Sequence, residues 1–404
     1  MPSADFQREN DEAIRALGVL GAFFFVVAVI GYVCTVSWSE IPRDGTSLVV
    51  GRDFLNFWMF GRAAPTPDPS RFYDIAEYNR ALQALLGAGY PGQNWSYPPS
   101  IMFVAAPFGH FGYLAALLIW TLIGGALFFA VARHRIADKR LLVALVLSPA
   151  AVLCVISGQS SLISAAMLVT IFFWLDRRPI AAGILIGLLT LKPQLGILFP
   201  VMLIASARWR VFASAAITAL ALAAATAIVF GPQVWIDFAT KGLEANNLVL
   251  ADPERIATPF YPTIYMNLRG IDLPYGAAMA VQLCACALAV TAVAWAFRVR
   301  RDADPLHLMA LFLACSVCAV PYLLSYDTLG LTFAALLLLG AGSLDASGRR
   351  LGQLVYWLPL LQIGLGNLHI PGPALIAPAF AAYALMRLRA SPAAALDTRL
   401  ITAR

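Results

Sequence analysis

Charge is what this chain has least of. Only 12% of its 404 residues are Asp, Glu, Lys or Arg, against 60% hydrophobic, and the mean hydropathy is +0.77. That composition leaves too little polar surface to clothe a soluble domain. Histidine is nearly absent, at four residues. The six cysteines (Cys34, Cys154, Cys284, Cys286, Cys315 and Cys318) all sit in apolar runs without metal-ligand spacing or paired loop positions, so they read as small core residues. No GxSxG, P-loop, HExxH or Rossmann pattern occurs, and soluble nucleotide and metal chemistries gain no support. A long-period repeat and a low-complexity tract are also missing.

What the chain has instead is apolar runs from end to end. They predict an all-α polytopic membrane protein with about twelve crossings: 16–38, 111–132, 141–156, 161–175, 180–191, 194–207, 210–230, 275–297, 306–322, 328–342, 353–367 and 372–388. The first run is too long for a signal-peptide core and lacks a clear small-residue cleavage site, so it reads as a retained helix. Several segments are too short to cross a hydrocarbon layer of about 30 Å at about 1.5 Å per residue. Short or broken helices are tolerated where neighbours or a wet cavity satisfy their ends, so the breaks are expected to line a cavity.

The net charge of +6 has a topological source. Basic clusters punctuate the apolar runs at 133–140 ("RHRIADKR"), 177–178, 208–210, 298–301 ("RVRR"), 349–350 and 387–389. If these face the cytoplasm, an even number of crossings separates each pair, which the twelve segments supply. Nucleic acid therefore drops out as a partner, and both termini are expected to be cytoplasmic in a cell-membrane protein. Residues 1–390 read as one transmembrane domain and 391–404 as a cytoplasmic tail. The opposite, outer face then collects a long loop (39–110), "SGQSS" (157–161), "LKPQ" (191–194), a second long loop (231–274), "PYLLSYD" (321–327) and "GNLHIPG" (366–372). Nearly all the polar oddities of the chain fall on this side, so an active surface is expected to face outward.

The first of these loops is too long to be a mere connector. Phe54 to Ala64 predicts a short amphipathic helix. A second opens at Asp74, with "DIAE" as a capping box, an apolar stripe of Ile75, Tyr78, Leu82 and Leu85, and Gly87 at its end. Both are expected to lie flat at the membrane interface. "NWSYPPS" (94–100) predicts an extended approach to the next apolar stretch, because the residue before each proline is driven from helical geometry.

Two ionisable residues stand out. Asp53, set among Phe54, Phe57, Trp58 and Phe60, is either the N-cap of the helix that follows or a general base whose partial desolvation raises its pKa. Lys192 ends the very apolar segment "AAGILIGLLTLKPQLGILFPVML". It is either a lysine snorkelling to the interface or a cation for a lipid-linked phosphate at membrane depth. Gly158 and Gln159, at another tight outer turn, are candidates to shape the same pocket, and Arg52 and Arg255 are further outward cations. Tyr326 and Asp327 follow a break at Pro321 and are candidates to bind sugar hydroxyls, although Asp327 also reads as a helix N-cap. His369, within "GNLHIPG", is a histidine this topology puts near the outer face.

Taken in order, "GRDFLNFWMFGRA" (51–63), "FYD" (72–74), "YPP" (97–99), "GQSS" (158–161) and "AGILIGLLTLKPQ" (182–194) resemble glycosyltransferase family 87 over about the first half of the chain. The resemblance implies a GT-C fold like that of the polyprenyl-phosphate-mannose-dependent α-1,2-mannosyltransferases. It implies inverting transfer of a hexose, mannose first among candidates, from a polyprenyl-phosphate donor to a lipid or glycan acceptor hydroxyl on the outer face. The family's essential loop aspartate falls on Asp53 and its KP lysine on Lys192. Lys192, Arg52 and Arg255 are then the expected donor-phosphate contacts, and Tyr97, Gln159, Tyr326, Asp327 and His369 the expected pocket. The chain departs from the family at Ser161, where Asn is common, and in "SYDTLGL", which offers no histidine where a His pair is frequent. The motifs call for no cofactor and leave dependence on divalent metal open. The rival reading is a secondary transporter or flippase, which predicts paired interruptions in two related halves. Lys192 has no such counterpart, and the large outer loops favour an enzyme.

Overall fold

The computed structural model describes residues 4–46, 48–93, 97–251 and 258–390. In chain order the α-helices are α1 (Ala4–Thr35), α2 (Phe54–Ala63), α3 (Ile75–Leu86), α4 (Ile101–Gly109), α5 (Tyr113–Arg135), α6 (Lys139–Val146), α7 (Pro149–Ile156), α8 (Ser161–Trp174), α9 (Pro179–Leu188) and α10 (Pro193–Gly196). They continue as α11 (Phe199–Ala205), α12 (Trp209–Phe230), α13 (Gln233–Asp237), α14 (Leu243–Ala251), α15 (Ile264–Arg269), α16 (Tyr275–Val299), α17 (Pro305–Ala319), α18 (Leu329–Gly340), α19 (Ala346–Gly366) and α20 (Ile376–Ala390). Among the described residues the only extended pairing is a single bridge between Arg43 and Val49.

Local chemistry accounts for many of the boundaries. Asp74, Asp138, Ser148, Thr263, Asp304 and Asp345 each cap the helix that follows, accepting a backbone N–H one or two residues into it. Pro149, Pro179, Pro193 and Pro305 stand at first helical positions, where a missing N–H costs nothing.

Every one of the twelve predicted segments falls on a helix or a helix pair, yet length and composition qualify fewer as crossings. Among the described residues four stretches are long and apolar enough (Gln7–Thr35, Tyr113–Arg135, Trp209–Phe230 and Tyr275–Val299), and α6 with α7, bent by 42° at the break between Val146 and Pro149, makes a fifth. Shorter apolar helices such as Ser161–Trp174 and Pro305–Ala319 stop well short of a bilayer's thickness. The short helices α17 and α18 are apolar on all sides and buried over nearly their whole length, so they form the centre of the main core. The long helices turn apolar side chains outward: Val19 is 69% exposed, Ile228 82% and Leu288 72%. Bare aliphatic surface on helices of spanning length is the signature of a lipid-facing rim.

The first long loop differs from its expected form. α2 is not a two-faced helix: nine of its ten residues are buried, Arg62 being the one left outside. It crosses α4, an apolar helix that the proline-rich approach concealed, at Gly61 and Gly109, where a Cβ on either would run into the other's backbone. α3 keeps its expected Asp74 cap and Gly87 end, but its buried stripe is Tyr78, Leu82 and Leu86. Ile75 and Leu85 point outward, since an i, i+4, i+8 row is the straighter line along one face. The loop's aromatic core also takes in Val234, and Ser70 Oγ donates to Asp237 Oδ2 at 2.6 Å, so the two long loops are tied together. The approach at residues 94–96 and the tail 391–404 lie outside the described residues.

Because the α2 and α4 backbones meet at glycines, Gly61→Val is expected to destabilise the protein by about 1–3 kcal/mol, the usual range for overpacking. Thermal unfolding in detergent checks this, and an unchanged midpoint would show that the crossing has room to spare.

Candidate active site

Asp53 is delivered by a tight turn. Gly51 and Arg52 both have positive φ, at 78° and 32°, and the Asp53 N–H donates to the Ser157 carbonyl at 3.1 Å. The carboxylate makes no cap bond to α2, so the N-cap reading gives way to another use. Its Oδ2 accepts from Tyr326 OH at 2.7 Å and from Gln159 Nε2 at 3.2 Å. Among the described residues no hydrogen bond engages Oδ1. Gly158, at φ 62°, lets the Ser157–Ser161 turn press against this corner: a Cβ there would sit 2.6 Å from that of Phe54 and 2.7 Å from the Gly51 carbonyl. Trp120 Nε1 locks the turn by donating to the Gly158 carbonyl at 3.1 Å.

The next residue of that turn is oriented from its other end. Gln159 Oε1 accepts from Tyr97 OH at 3.1 Å and from the Ser160 N–H at 3.2 Å, which leaves its amide nitrogen to face Asp53. Tyr97 is held in turn, as its carbonyl accepts from Tyr73 OH at 2.8 Å.

Lys192 stands where the 3-10 turn after α9 meets Pro193. It does not snorkel. Its side chain is 7% exposed and that of Asp327 is 2%, and Nζ donates to Asp327 Oδ1 at 2.5 Å. Ser161 Oγ donates to the same Oδ1 at 2.5 Å and accepts from Lys192 Nζ at 3.2 Å. The N-cap reading of Asp327 fails with this: Thr328 precedes α18, no side chain caps that helix, and Asp327 Oδ1 takes both Lys192 and Ser161. Tyr326 and Asp327 are neighbours on the 3-10 turn Ser325–Thr328, so one turn reaches Asp53 with one residue and Lys192 with the next.

These groups open onto one cavity of about 1100 Å³. Arg52, Asp53, Tyr97, Gln159, Lys192, Tyr326 and Asp327 all line it, so seven of the nine predicted residues are brought together. His369 is not: it sits exposed at a positive-φ position (55°) and its Nδ1 pairs with the Gly270 carbonyl at 2.7 Å. Arg255 lies outside the described residues. Sequence reasoning passed over Asn56, which accepts from Tyr78 OH at 2.5 Å, and Gln93, which donates to the Arg52 carbonyl at 3.2 Å. Ser161 had been noted only as a departure from a pattern. The tyrosines Tyr261 and Tyr322, with ring centroids 5.0 Å apart, also line the cavity. Most of the remainder is apolar, with Ile186, Ile197, Phe199, Leu203 and Phe212 from the α9 to α12 stretch, beside the polar Ser157, Thr190 and Gln194. Among the described residues no three His, Cys, Asp or Glu side chains gather to hold a metal ion.

Burial pushes the Asp53 carboxyl above the usual carboxylate range; hydrogen bonds from Tyr326 and Gln159 and the positive charges of Lys192 and Arg52 pull the other way without cancelling it. A polar corner with a carboxylate acceptor and a buried ammonium, open to a largely apolar chamber among lipid-facing helices, describes a membrane enzyme. Within that class the chain belongs to glycosyltransferase family 87, whose model matches residues 95–325, and it is a membrane glycosyltransferase. The match takes in Tyr97, Gln159 and Lys192 and ends next to Tyr326, while Asp53 lies ahead of it. No curated protein and no solved structure matches the chain.

A carboxyl whose pKa is higher folded than unfolded favours the fold while protonated, and that contribution is lost as pH rises through the folded value. Asp53→Asn is therefore expected to unfold at a higher temperature than the wild type at neutral pH, with the gap closing in acid. A variant less stable than wild type at neutral pH would contradict the raised pKa.

Proposed function

We propose that this protein transfers a hexose, mannose first among candidates, from a polyprenyl-phosphate donor to an acceptor hydroxyl on the outer face of the cell membrane, with inversion. The observation that carries the reading is that Asp53 lines the cavity with Oδ2 held by Tyr326 and Gln159 while, among the described residues, no hydrogen bond engages Oδ1. A carboxylate fixed through one oxygen presents the other in a defined direction, as a general base needs. The raised pKa makes it a stronger proton acceptor once ionised.

In this mechanism the acceptor hydroxyl gives its proton to Asp53 Oδ1 as its oxygen bonds to the anomeric carbon, and the bond from that carbon to the phosphate oxygen breaks. Lys192 and Arg52 stabilise the charge gathering on the lipid phosphate. Phosphate is already a good leaving group, so no general acid is called on. The apolar wall from α9 to α12 suits a prenyl chain, and the tyrosines around Asp53 offer hydroxyls and ring faces to a sugar. About twelve passes through the membrane, with cytoplasmic termini, remain the topology this reading favours.

The test is transfer of radiolabelled hexose from polyprenyl-phosphate donors to a host lipid extract by the purified protein. Asp53→Asn is expected to lower turnover by about 10²–10⁴-fold, the usual worth of a general base, with fold retained. Full activity in that variant would remove Asp53 as the base, and no wild-type transfer from any such donor would remove the donor class.

The pH profile supplies a second prediction. Turnover requires ionised Asp53 and so falls as pH drops through its raised pKa. Tyr326→Phe removes a hydrogen bond that favours the carboxylate, which moves this acid limb to higher pH. A limb left in place, or moved to lower pH, would separate Tyr326 from the titrating group.

A further inference from the structure

The cation expected to meet the donor's phosphate is already taken. Lys192 Nζ is bound to Asp327 at 2.5 Å, with both side chains almost completely buried. The groups facing the ammonium from the elements around it are Asp327, the Ser161 hydroxyl and the ring of Tyr326, whose centroid is 5.6 Å away. The charged side chains lining the described cavity are Arg52, Lys192, Asp53 and Asp327, two of each sign. A neutral chamber with its deepest cation paired is not a phosphate trap.

We propose that Asp327 stands in for the donor's phosphate on Lys192 and takes the ammonium back after transfer, acting as the release element for the lipid phosphate. This rests on the polyprenyl-phosphate reading above. A phosphate oxygen entering beside Lys192 exchanges with Asp327 Oδ1 for the same ammonium. The displaced carboxylate keeps a partner, because Ser161 Oγ donates to it independently of Lys192. Before transfer the donor phosphodiester carries one negative charge. Afterwards the lipid monophosphate carries about 1.5 to 2, and so binds an unopposed ammonium more tightly than the substrate did. An enzyme built with Lys192 alone would hold its product. The competing carboxylate puts the resting pair at lower energy than the product complex, and one hydrogen-bonded turn carries both Asp327 and Tyr326, so recovery of the pair also restores the support of Asp53. Asp327 is thus a positioning residue that acts through Lys192.

The experiment compares binding of farnesyl phosphate, with farnesol as control, to the wild type and to Asp327→Asn, whose amide oxygen still accepts from Lys192. The expected result is at least about tenfold tighter farnesyl phosphate binding by the variant, with unchanged farnesol binding and turnover that declines as product accumulates. Equal or weaker binding by the variant, where the wild type prefers farnesyl phosphate to farnesol, overturns the exchange and leaves the donor reading standing. A wild type that does not distinguish the two ligands overturns the donor reading itself. If Asp327→Asn does not fold, infrared difference spectra of Asp53→Asn on adding farnesyl phosphate decide. A shifted carboxylate band, with the Asp53 carboxylate removed, supports exchange at Asp327, and an unshifted one overturns it.

Discussion

A lysine buried at the end of an apolar helix needs an anion beside it, and the site is arranged around meeting that need. Asp327 reaches Lys192 from a turn 135 positions away in sequence, and Ser161 completes the group from the start of α8. Leaving either charge buried alone costs several kcal/mol, on the order of 3–5 for pairs broken on one side. The pair therefore fixes the relative placement of the α9 break, the Ser157–Ser161 turn and the Ser325–Thr328 turn. Those two turns also supply Gln159 and Tyr326 to Asp53. Structural constraint and chemistry share the same few residues.

The broken helices take their meaning from this. The helix breaks at Lys192 and Pro193, and the break leaves Lys192 lining a cavity. The buried centre, α17 and α18, brackets the turn that carries Tyr326 and Asp327, so "PYLLSYD" is held between two almost fully buried helices. The described part of the first long loop is packed as well. Its α2 and α4 meet backbone to backbone, and the turn that precedes α2 presents Asp53 from a packed aromatic base.

Much of this was legible in the sequence because charge is so scarce: an Asp among aromatics and a Lys inside an apolar run are conspicuous against a 12% charged background. The motif order around "GQSS" and "LKPQ" carried the family, and the Asp74 cap and Gly87 stop of α3 followed from local rules. The misreadings share a cause. N-cap interpretations of Asp53 and Asp327 and the snorkelling interpretation of Lys192 are all local, while the partners lie 31 to 273 positions away. α2 looked interfacial because hydrophobic pattern cannot distinguish a membrane surface from another helix, and Pro98 and Pro99 hid the start of α4. His369 was attractive for its rarity alone, and a backbone carbonyl already occupies it. Among the described residues, short helices and, for the 21-residue α19, a more polar composition reduced the clear crossings from twelve to four or five.

In the proposed reaction, donor phosphate and base meet in this one cavity from opposite sides of the sugar. The most direct measurement is the structure of the complex with a non-transferable C-glycosidic polyprenyl phosphonate. The expected result is phosphonate oxygens within hydrogen-bonding distance of Lys192 Nζ, the prenyl chain along the α9 to α12 wall, and the anomeric carbon turned toward Asp53 Oδ1. A phosphonate seated elsewhere, with the Lys192 to Asp327 pair intact and Asp53 remote from the anomeric carbon, would contradict it.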